Sequence, residues 1–319
     1  MPERPRAVFF GSPDFAVPFL EVVAARTELR AVVSQPDRPA GRGKQLHEPP
    51  VKVAARGLGV PVLQPEKIRT PELEAALRAH APELFVVVAY GRILPPNLLA
   101  IPRLGPWNVH ASLLPALRGA APIQWSIIRG EVRTGVAVMR MEAGLDTGPV
   151  AAVAETPIAD DDTTGTLSDR LSRLGAALLA VALPGIVAGT VRLAPQDDRA
   201  ATLAPPLVKE DGRLDFLQPA RAVSARARGV DPWPGATAML DGQPLKLFRP
   251  RVVSGAEGDS SVPGPGAPGE VLGAGPHGLI VACGDGAVAF GELQLPGRKR
   301  LPAAVVLNGH PIAPGSRLG

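Results

Sequence analysis

Uninterrupted apolar runs in the first half of the chain alternate with segments whose apolar residues recur at helical spacing. Ala7 to Phe10 and Leu84 to Ala89 hold no polar residue, which predicts strands buried on both faces of a sheet. Leu29 to Ser34 predicts a further strand, and residues 15–23 predict the helix between the first two strands. This succession predicts an α/β fold with a Rossmann-like, open, mostly parallel sheet over residues 1–189.

The second half shows a different pattern of short apolar runs separated by Gly and Asp turns. The runs at 236–240, 245–248, 279–282 and 288–290 predict short strands. Closely spaced short strands favour a small barrel, and we expect an OB-like β-barrel domain over residues 209–319. Residues 190–208 are rich in prolines and charges and predict a linker, and residues 254–269 predict a Gly- and Pro-rich loop.

One uncharged segment is long enough to raise the question of a membrane span. Eighteen residues separate Arg173 from Arg192, which is near the lower limit for a transmembrane helix. The segment is dominated by Ala and Gly and is interrupted by Pro184 and Gly185. We therefore predict a buried helix that ends at Pro184.

Composition narrows the class of protein. The 319 residues are enough for two domains, and 45% hydrophobic with 20% charged residues is typical of a globular chain. The single cysteine, Cys283, excludes an internal disulfide and favours a reducing compartment. The residues before Ala7 lack the apolar core of a signal peptide, so we expect a cytoplasmic protein. We also expect a monomer. A net charge of +4 is compatible with a polyanionic partner, but charge alone favours an ordinary solvated surface.

Candidate catalytic residues follow two of the apolar runs. Asn108 and His110 are two residues apart in a predicted strand, so their side chains point to the same face. Asp146 lies in a turn between Gly144 and Gly148, just after the apolar run 135–139. A lone histidine is often a core residue, and an aspartate in such a turn often bonds its own backbone. The three together form a catalytic arrangement of amide, imidazole and carboxylate.

The first turn of the predicted sheet argues against a nicotinamide oxidoreductase. It reads Gly11-Ser12-Pro13-Asp14 and lacks the G-x-G-x-x-G pattern that brings a backbone against a pyrophosphate.

A basic, proline-rich stretch follows the second predicted strand. The density of Pro and Gly over residues 35–51 predicts a mobile surface loop, and the window 35–56 carries five Lys and Arg against two acidic residues. Such a loop could bind phosphates.

The motifs together resemble those of the folate-dependent formyltransferases. The resemblance rests on the Asn-x-His pair, the Ser-Leu-Leu-Pro segment 112–115, the run 118–124, the Asp-Thr-Gly at 146–148 and the Asp-Pro-Trp-Pro-Gly at 231–235. It implies that Asn108, His110 and Asp146 are catalytic and that 10-formyltetrahydrofolate is the formyl donor, with no metal. The residues it implies for folate binding are Tyr90, Gly91, Arg92, Ile93, Ser112, Leu113, Leu114 and Pro115. Arg118 either contacts an anion or has only a structural role in its loop.

The expected chemistry follows from the needs of formyl transfer to an amine. The reaction passes through a tetrahedral species with an oxyanion, and the amine must lose a proton. Asn108 is a neutral donor suited to the formyl oxygen, and His110 can exchange protons near neutral pH. Asp146 can orient His110 or take part in proton transfer. No nucleophilic Ser or Cys is required, so we expect direct attack by the amine.

The basic segment 35–44 resembles the insertion of family members that formylate the methionine α-amino group of methionyl initiator tRNA for translation initiation. The resemblance implies that Arg38, Arg42 and Lys44 contact this tRNA and that the C-terminal barrel also binds it. Two alternatives stay open. One is a relative that formylates a small amine, such as a purine-pathway ribonucleotide or a nucleotide-linked amino sugar. The other is a non-catalytic RNA-binding protein, against which the intact Asn108, His110 and Asp146 argue.

Overall fold

The computed structural model describes residues 4–40, 45–253 and 266–319. The chain divides into two compact units. The N-terminal unit comprises Met1–Pro122, Thr134–Thr156 and Ser168–Ala204, and the C-terminal unit comprises Ile123–Arg133, Pro157–Leu167 and Pro205–Gly319. Residues 254–265, most of the predicted Gly- and Pro-rich loop, lie outside the described residues.

The secondary structure alternates between strands and helices at first and is mostly β later. The strands are β1 Arg6–Gly11, β2 Glu28–Val33, β3 Arg38–Ala40, β4 Gln45–His47, β5 Val62–Leu63, β6 Leu84–Val88, β7 Pro106–His110, β8 Arg118–Gly119, β9 Arg133–Arg140, β10 Val150–Pro157, β11 Leu203–Ala204, β12 Thr237–Leu240, β13 Gln243–Val253, β14 Val271–Gly275, β15 Gly278–Ala282, β16 Ala287–Gln294 and β17 Leu301–Pro302. The helices are α1 Val17–Arg26, α2 Pro50–Gly57, α3 Pro71–Ala79, α4 Pro96–Leu99, α5 Pro122–Ile128, α6 Thr164–Ala188, α7 Ala220–Gly229 and α8 Ala303–Gly309.

The N-terminal unit is built on a seven-stranded sheet in the order β10-β9-β7-β6-β1-β2-β5. The pairs from β5 through β2, β1 and β6 to β7 are parallel, and β9 runs antiparallel to β7. Strand β6 is buried at every position, as its continuous apolar sequence predicts. The α/β prediction with a mostly parallel sheet is therefore confirmed.

The candidate residues lie where this sheet presents its carboxyl edge. Strands β6 and β7 are parallel neighbours, so both end at the same edge. His110 is the last residue of β7, and Tyr90 lies two residues beyond the end of β6. Open α/β sheets bind ligands at this edge.

The stretch predicted as a loop after β2 contains regular structure. Strands β3 and β4 form a two-stranded antiparallel ribbon, in which Arg38 pairs with His47. A ribbon with only two strands tolerates Pro39 because a proline at a sheet edge need not donate a hydrogen bond. Helix α2 begins at Pro50, and proline is favoured at a first helical turn.

The helix predicted to end at Pro184 continues to Ala188, so the predicted end was wrong. The helix ends instead at Gly189, whose φ is +68°, and the N–H of Thr190 donates to the Gly185 carbonyl at 2.9 Å. A left-handed glycine with such a hydrogen bond commonly terminates a helix. Gly189, and not Pro184, therefore sets the C-terminal end of α6. By length and composition α6 could cross a membrane, and 39% of its most apolar window is buried within the structure.

The C-terminal unit contains an antiparallel sheet in the order β12-β13-β16-β15-β14, with β17 beside β16. Residues 316–319 form backbone hydrogen bonds with β12 and β14, the strands at the two ends of this order. Gly319 and Met239 exchange two backbone hydrogen bonds, and Val271 donates to the Ser316 carbonyl. The segment thus joins the two edges and gives the sheet a barrel-like form, as predicted. The finer assignment to the OB class stays a prediction.

Candidate active site

The structure brings Asn108, His110 and Asp146 together. The Asn108 amide nitrogen lies 3.5 Å from one carboxylate oxygen of Asp146, and His110 Nδ1 lies 3.8 Å from the other. Asn108 and His110 come from β7, and Asp146 comes from the loop between β9 and β10. Because β9 is paired with β7, the loop after β9 returns over the end of the histidine strand.

The ring of His110 is hydrogen-bonded to a main-chain carbonyl. Its Nε2 lies 3.0 Å from the Leu117 carbonyl oxygen, and the residue is only 6% exposed. A carbonyl oxygen can only accept a hydrogen bond, so Nε2 carries the hydrogen in the neutral ring. Nδ1, on the side of Asp146, is then free to accept a proton.

Asp146 is held at its carboxylate and at its backbone. Its Oδ2 accepts a hydrogen bond from the Gly119 N–H at 2.9 Å, and its own carbonyl accepts one from Gln196 at 2.8 Å. Its φ is +53°, a left-handed conformation that is uncommon for a residue with a side chain. Leu117 and Ala89 share this conformation, with φ of 61° and 47°. Such strained residues cluster at functional sites.

Two glycines, Gly119 and Gly148, allow the backbone segments around the candidate residues to approach one another closely. Gly119 has a φ of +126°, and a Cβ there would lie 2.6 Å from the Ala204 carbonyl oxygen. At Gly148 a Cβ would overlap the carbonyl oxygen of Arg140. Both positions therefore exclude any other residue without a local backbone shift.

The predicted folate segment 112–115 follows His110 directly. Ser112 is fully buried, and its hydroxyl donates to the Ala116 carbonyl at 2.6 Å. Leu113, Leu114 and Pro115 are half-buried. The Ser112 side chain thus stabilises the loop, while the three following residues keep surface that a ligand can contact.

The second predicted folate segment follows β6. Tyr90 is buried, its ring lies 5.5 Å from that of Phe10, and burial raises the pKa of its hydroxyl. Gly91 has a φ of +79°, and Ile93 is 61% exposed. Arg92 donates from Nε to the Gln35 side chain at 3.1 Å and from its guanidinium to the Glu66 carbonyl at 2.6 Å. Its charge is thus engaged with the protein in this structure.

Gln35, at the start of the basic stretch, fixes this second segment. Its side-chain nitrogen donates to the Tyr90 carbonyl at 3.0 Å. Its side-chain oxygen accepts the hydrogen bond from Arg92, and its own carbonyl accepts one from Gln64 at 2.9 Å. The base of the basic loop and the segment 90–93 are therefore joined by side-chain hydrogen bonds.

The charges of the basic stretch are not equivalent. Lys52 pairs with Asp37 at 2.7 Å and with Glu48 at 3.0 Å, and Arg56 also pairs with Glu48. Hydrogen bonds from Gln64 and then Lys52 lower the pKa of Asp37, and bonds from Lys52 and Arg56 lower the pKa of Glu48. Lys52 and Arg56 are thus neutralised locally. Arg38 is exposed, whereas Arg42 and Lys44 lie outside the described residues.

The contacts that orient the three candidates have no signature in the sequence. The Leu117 carbonyl and the Gly119 N–H are backbone groups, which side-chain patterns do not show. Gln196 lies 50 residues from Asp146 in the predicted linker, and no motif marked it. Segment 202–204 also bonds to this loop, since Thr202 and Ala204 accept hydrogen bonds from the N–H groups of residues 117, 118, 120 and 121.

The described part of the chain supports neither metal binding nor thiol chemistry. It contains no group of three His, Cys, Asp or Glu side chains placed to hold a metal ion. Cys283 is buried in the C-terminal unit, and burial followed by the charge of Asp285 raises its pKa to about 12. Such a thiol is almost wholly protonated at neutral pH and is a poor nucleophile.

Known proteins match the chain over nearly its whole length. The family model "Formyl transferase" matches residues 6–183, and "Formyl transferase, C-terminal domain" matches residues 206–311. A methionyl-tRNA formyltransferase from Citrifermentans bemidjiense is 49% identical over 98% of this chain and 96% of that protein. Another from Myxococcus xanthus is 47% identical over 98% of each chain.

A solved structure shares the fold. HypX from Aquifex aeolicus, in complex with tetrahydrofolic acid, has a TM-score of 0.62 and 18% sequence identity. The match covers 96% of this chain and 47% of HypX. The matching family models and the sequence identity of 47–49% to the curated relatives show that the chain belongs to the formyl transferase family, among the methionyl-tRNA formyltransferases.

Proposed function

We propose that the protein transfers the formyl group of 10-formyltetrahydrofolate to the methionine α-amino group of methionyl initiator tRNA and so supports translation initiation. The observation that carries the catalytic part of the proposal is the convergence of His110 Nδ1 and the Asp146 carboxylate, 3.8 Å apart, beside the Asn108 amide. An amide donor, a base and a carboxylate at one point are what formyl transfer to an amine requires.

In the proposed reaction the amine nitrogen attacks the formyl carbon directly. A bond forms between nitrogen and carbon, and the formyl oxygen takes up negative charge. The Asn108 amide N–H donates to this oxygen, because a neutral donor can stabilise developing charge at no protonation cost. The attacking amine becomes cationic and must lose a proton before the carbon–nitrogen bond to the folate breaks.

His110 Nδ1 accepts this proton in the proposed mechanism. The hydrogen on Nε2 remains hydrogen-bonded to the Leu117 carbonyl, which leaves Nδ1 as the basic atom of the neutral ring. The imidazolium that forms lies beside the Asp146 carboxylate, whose charge stabilises it. The proton is then available for the departing folate nitrogen, so the ring returns to its neutral form and protons balance.

Both substrates have candidate contacts in the N-terminal unit. We propose that the folate lies against segments 90–93 and 112–115, mainly through backbone groups and the half-buried Leu113, Leu114 and Pro115. We propose that Arg38, Arg42 and Lys44 contact the tRNA. We also propose that the chain consists of a catalytic domain (residues 1–189), a linker (190–208) and a C-terminal domain (209–319) that adds to tRNA binding. We also infer that the protein is cytoplasmic and monomeric.

The experiment that tests this function is formyl transfer from 10-formyltetrahydrofolate with several acceptors in parallel. Methionyl initiator tRNA, elongator methionyl-tRNA, free methionine and a nucleotide-linked amino sugar are supplied at equal concentration. Selective formylation of the initiator tRNA is expected. Transfer to the amino sugar with none to tRNA would overturn the acceptor, and binding of tRNA without transfer to any acceptor would leave a non-catalytic RNA-binding protein.

A further inference from the structure

One side-chain amide joins the loop that holds Asp146 to the loop that follows the histidine strand. Gln196 Nε2 donates to the carbonyl of Asp146 at 2.8 Å and to that of Gly148 at 2.7 Å. Its Oε1 accepts from Arg118 at 3.0 Å from Nε and at 2.8 Å from Nη2. A primary amide has two N–H donors and an oxygen with two lone pairs, so every hydrogen-bonding position of Gln196 is used.

Arg118 fixes which end of this amide faces the Asp146 loop. A guanidinium group only donates, so it selects the oxygen of Gln196 and turns the NH₂ group toward the two carbonyls. Arg118 is 6% exposed and also pairs with Asp198 at 2.8 Å. A buried arginine of this kind is held in place by its partners, and in this structure it orients Gln196 by two hydrogen bonds to one oxygen.

The bonds from Gln196 act on a turn under strain. The left-handed conformation of Asp146 is unfavourable for a residue with a side chain, so the turn needs external contacts to persist. Gln196 fixes the backbone carbonyls of Asp146 and Gly148, while Gly119 fixes the carboxylate. The separation of the carboxylate from His110 is set by these contacts together.

We propose that Gln196 is a positioning residue for formyl transfer, which sets the Asp146 carboxylate against His110 and is itself oriented by Arg118. The inference rests on the proposed catalytic role of Asp146. Gln196 acts through the loop backbone and has no assigned contact with either substrate. A catalytic group misplaced by about 1 Å can lower a rate on the order of 100-fold. Loss of the hydrogen bonds from Gln196 can therefore lower kcat even though Gln196 does not touch the substrates.

The test replaces the donor while keeping the shape of the side chain. Gln196→Glu keeps the acceptor for Arg118 but turns an oxygen toward the two carbonyls. We expect kcat to fall about 10- to 100-fold, with the KM for the folate and for methionyl-tRNA within about threefold of wild type. Asn97→Asp is the matched control, because Asn97 is a hydrogen-bonded amide bound to Glu74 in the same unit.

A second substitution separates positioning from a loss of stability. Gln196→Met has no donor for the two carbonyls and should also lower kcat, and it serves as the test if Gln196→Glu does not fold. In both variants we expect the melting temperature to stay close to that of wild type while kcat falls. Wild-type kcat in either folded variant, or a rise in KM that accounts for the whole loss of activity, would overturn the proposal.

Asp146→Asn separates this inference from the proposed mechanism. If Asp146→Asn turns over normally, both the catalytic role of Asp146 and the positioning role of Gln196 are wrong. If Asp146→Asn is impaired and Gln196→Glu is not, only the positioning role is wrong. In the double variant, Gln196→Glu should lower kcat by less than about threefold beyond Asp146→Asn alone, because residues that act as a unit are not additive.

Discussion

His110 directs its Nε2 at the Leu117 carbonyl oxygen, 3.0 Å away, and Leu117 itself has a left-handed backbone with a φ of +61°. The strained residue therefore supplies the acceptor that selects one tautomer of the ring. Nδ1, the atom nearer Asp146, is then the basic atom of the neutral ring. This relationship assigns different tasks to the two ring nitrogens, and the tasks can be separated by substitution.

Replacing His110 by Gln tests that separation. A glutamine amide can still donate to the Leu117 carbonyl from the Nε2 position but has no basic atom in place of Nδ1. We expect kcat to fall about 100-fold or more, with a nearly unchanged melting temperature. Single-turnover formylation measures the chemical step, and His80→Gln is the control. Turnover within about threefold of wild type would remove His110 as the base.

Asp146→Asn should lower turnover at least about tenfold while preserving the turn. An asparagine oxygen can still accept the Gly119 N–H, and asparagine tolerates a left-handed backbone, but the negative charge beside His110 is lost. Asp241→Asn is a matched control, since Asp241 is also left-handed, with a φ of +48°. The measurements are kcat and the melting temperature; wild-type kcat would contradict the assignment.

Asn108→Ala should lower kcat at least about tenfold with little effect on folate binding, because its N–H is needed when charge develops on the formyl oxygen. Steady-state kinetics and direct binding of the folate separate the two effects. A weaker folate complex with unchanged kcat would assign Asn108 to binding and not to catalysis.

Gly148→Ala should destabilise the protein and impair catalysis together. Its new Cβ would overlap the Arg140 carbonyl oxygen, so the loop that carries Asp146 must shift. We expect the melting temperature to fall by more than about 5 °C and kcat to fall at least about tenfold. Gly57→Ala is the control, since Gly57 lies at the end of α2 with no atom near the added Cβ. Equal melting curves for Gly148→Ala and wild type would contradict the overlap.

The pairing of charges in the basic stretch predicts unequal effects on tRNA binding. Arg38→Ala should reduce the slope of log K against log salt by about 0.7 to 0.9, because an exposed arginine releases a counterion from the phosphate it meets. Arg56→Ala should change the slope by less than half as much, since its charge is already paired with Glu48. Filter binding across a salt series measures both. A larger effect of Arg56→Ala would reverse the assignment of free and paired charges.

The parts of the fold that the sequence predicted are those in which local pattern decides structure. Strand β6 is apolar throughout because both of its faces are covered, and this pattern is visible in Leu84 to Val88 without knowledge of its neighbours. Asn108 and His110 were paired in the same way, since a spacing of two places both side chains on one face of a strand.

The unpredicted parts depend on contacts between distant segments. Helix α6 passes Pro184 because its end is set by Gly189 and not by the proline. Strand β14 was not predicted, since Gly273 interrupts its apolar pattern and its register shifts there. Gln196 has no local signature at all, because its partners lie in segments 50 and 78 residues away.

Segment 196–204 has a consequence for how the two halves of the chain can be recombined. Through Gln196, Thr202 and Ala204 it bonds to the loops that surround His110 and Asp146. A chimeric enzyme that takes its second half from a relative at residue 190 would bring a foreign partner to those loops. A junction after Ala204, where the last segment of the N-terminal unit ends, keeps the native partner of both loops.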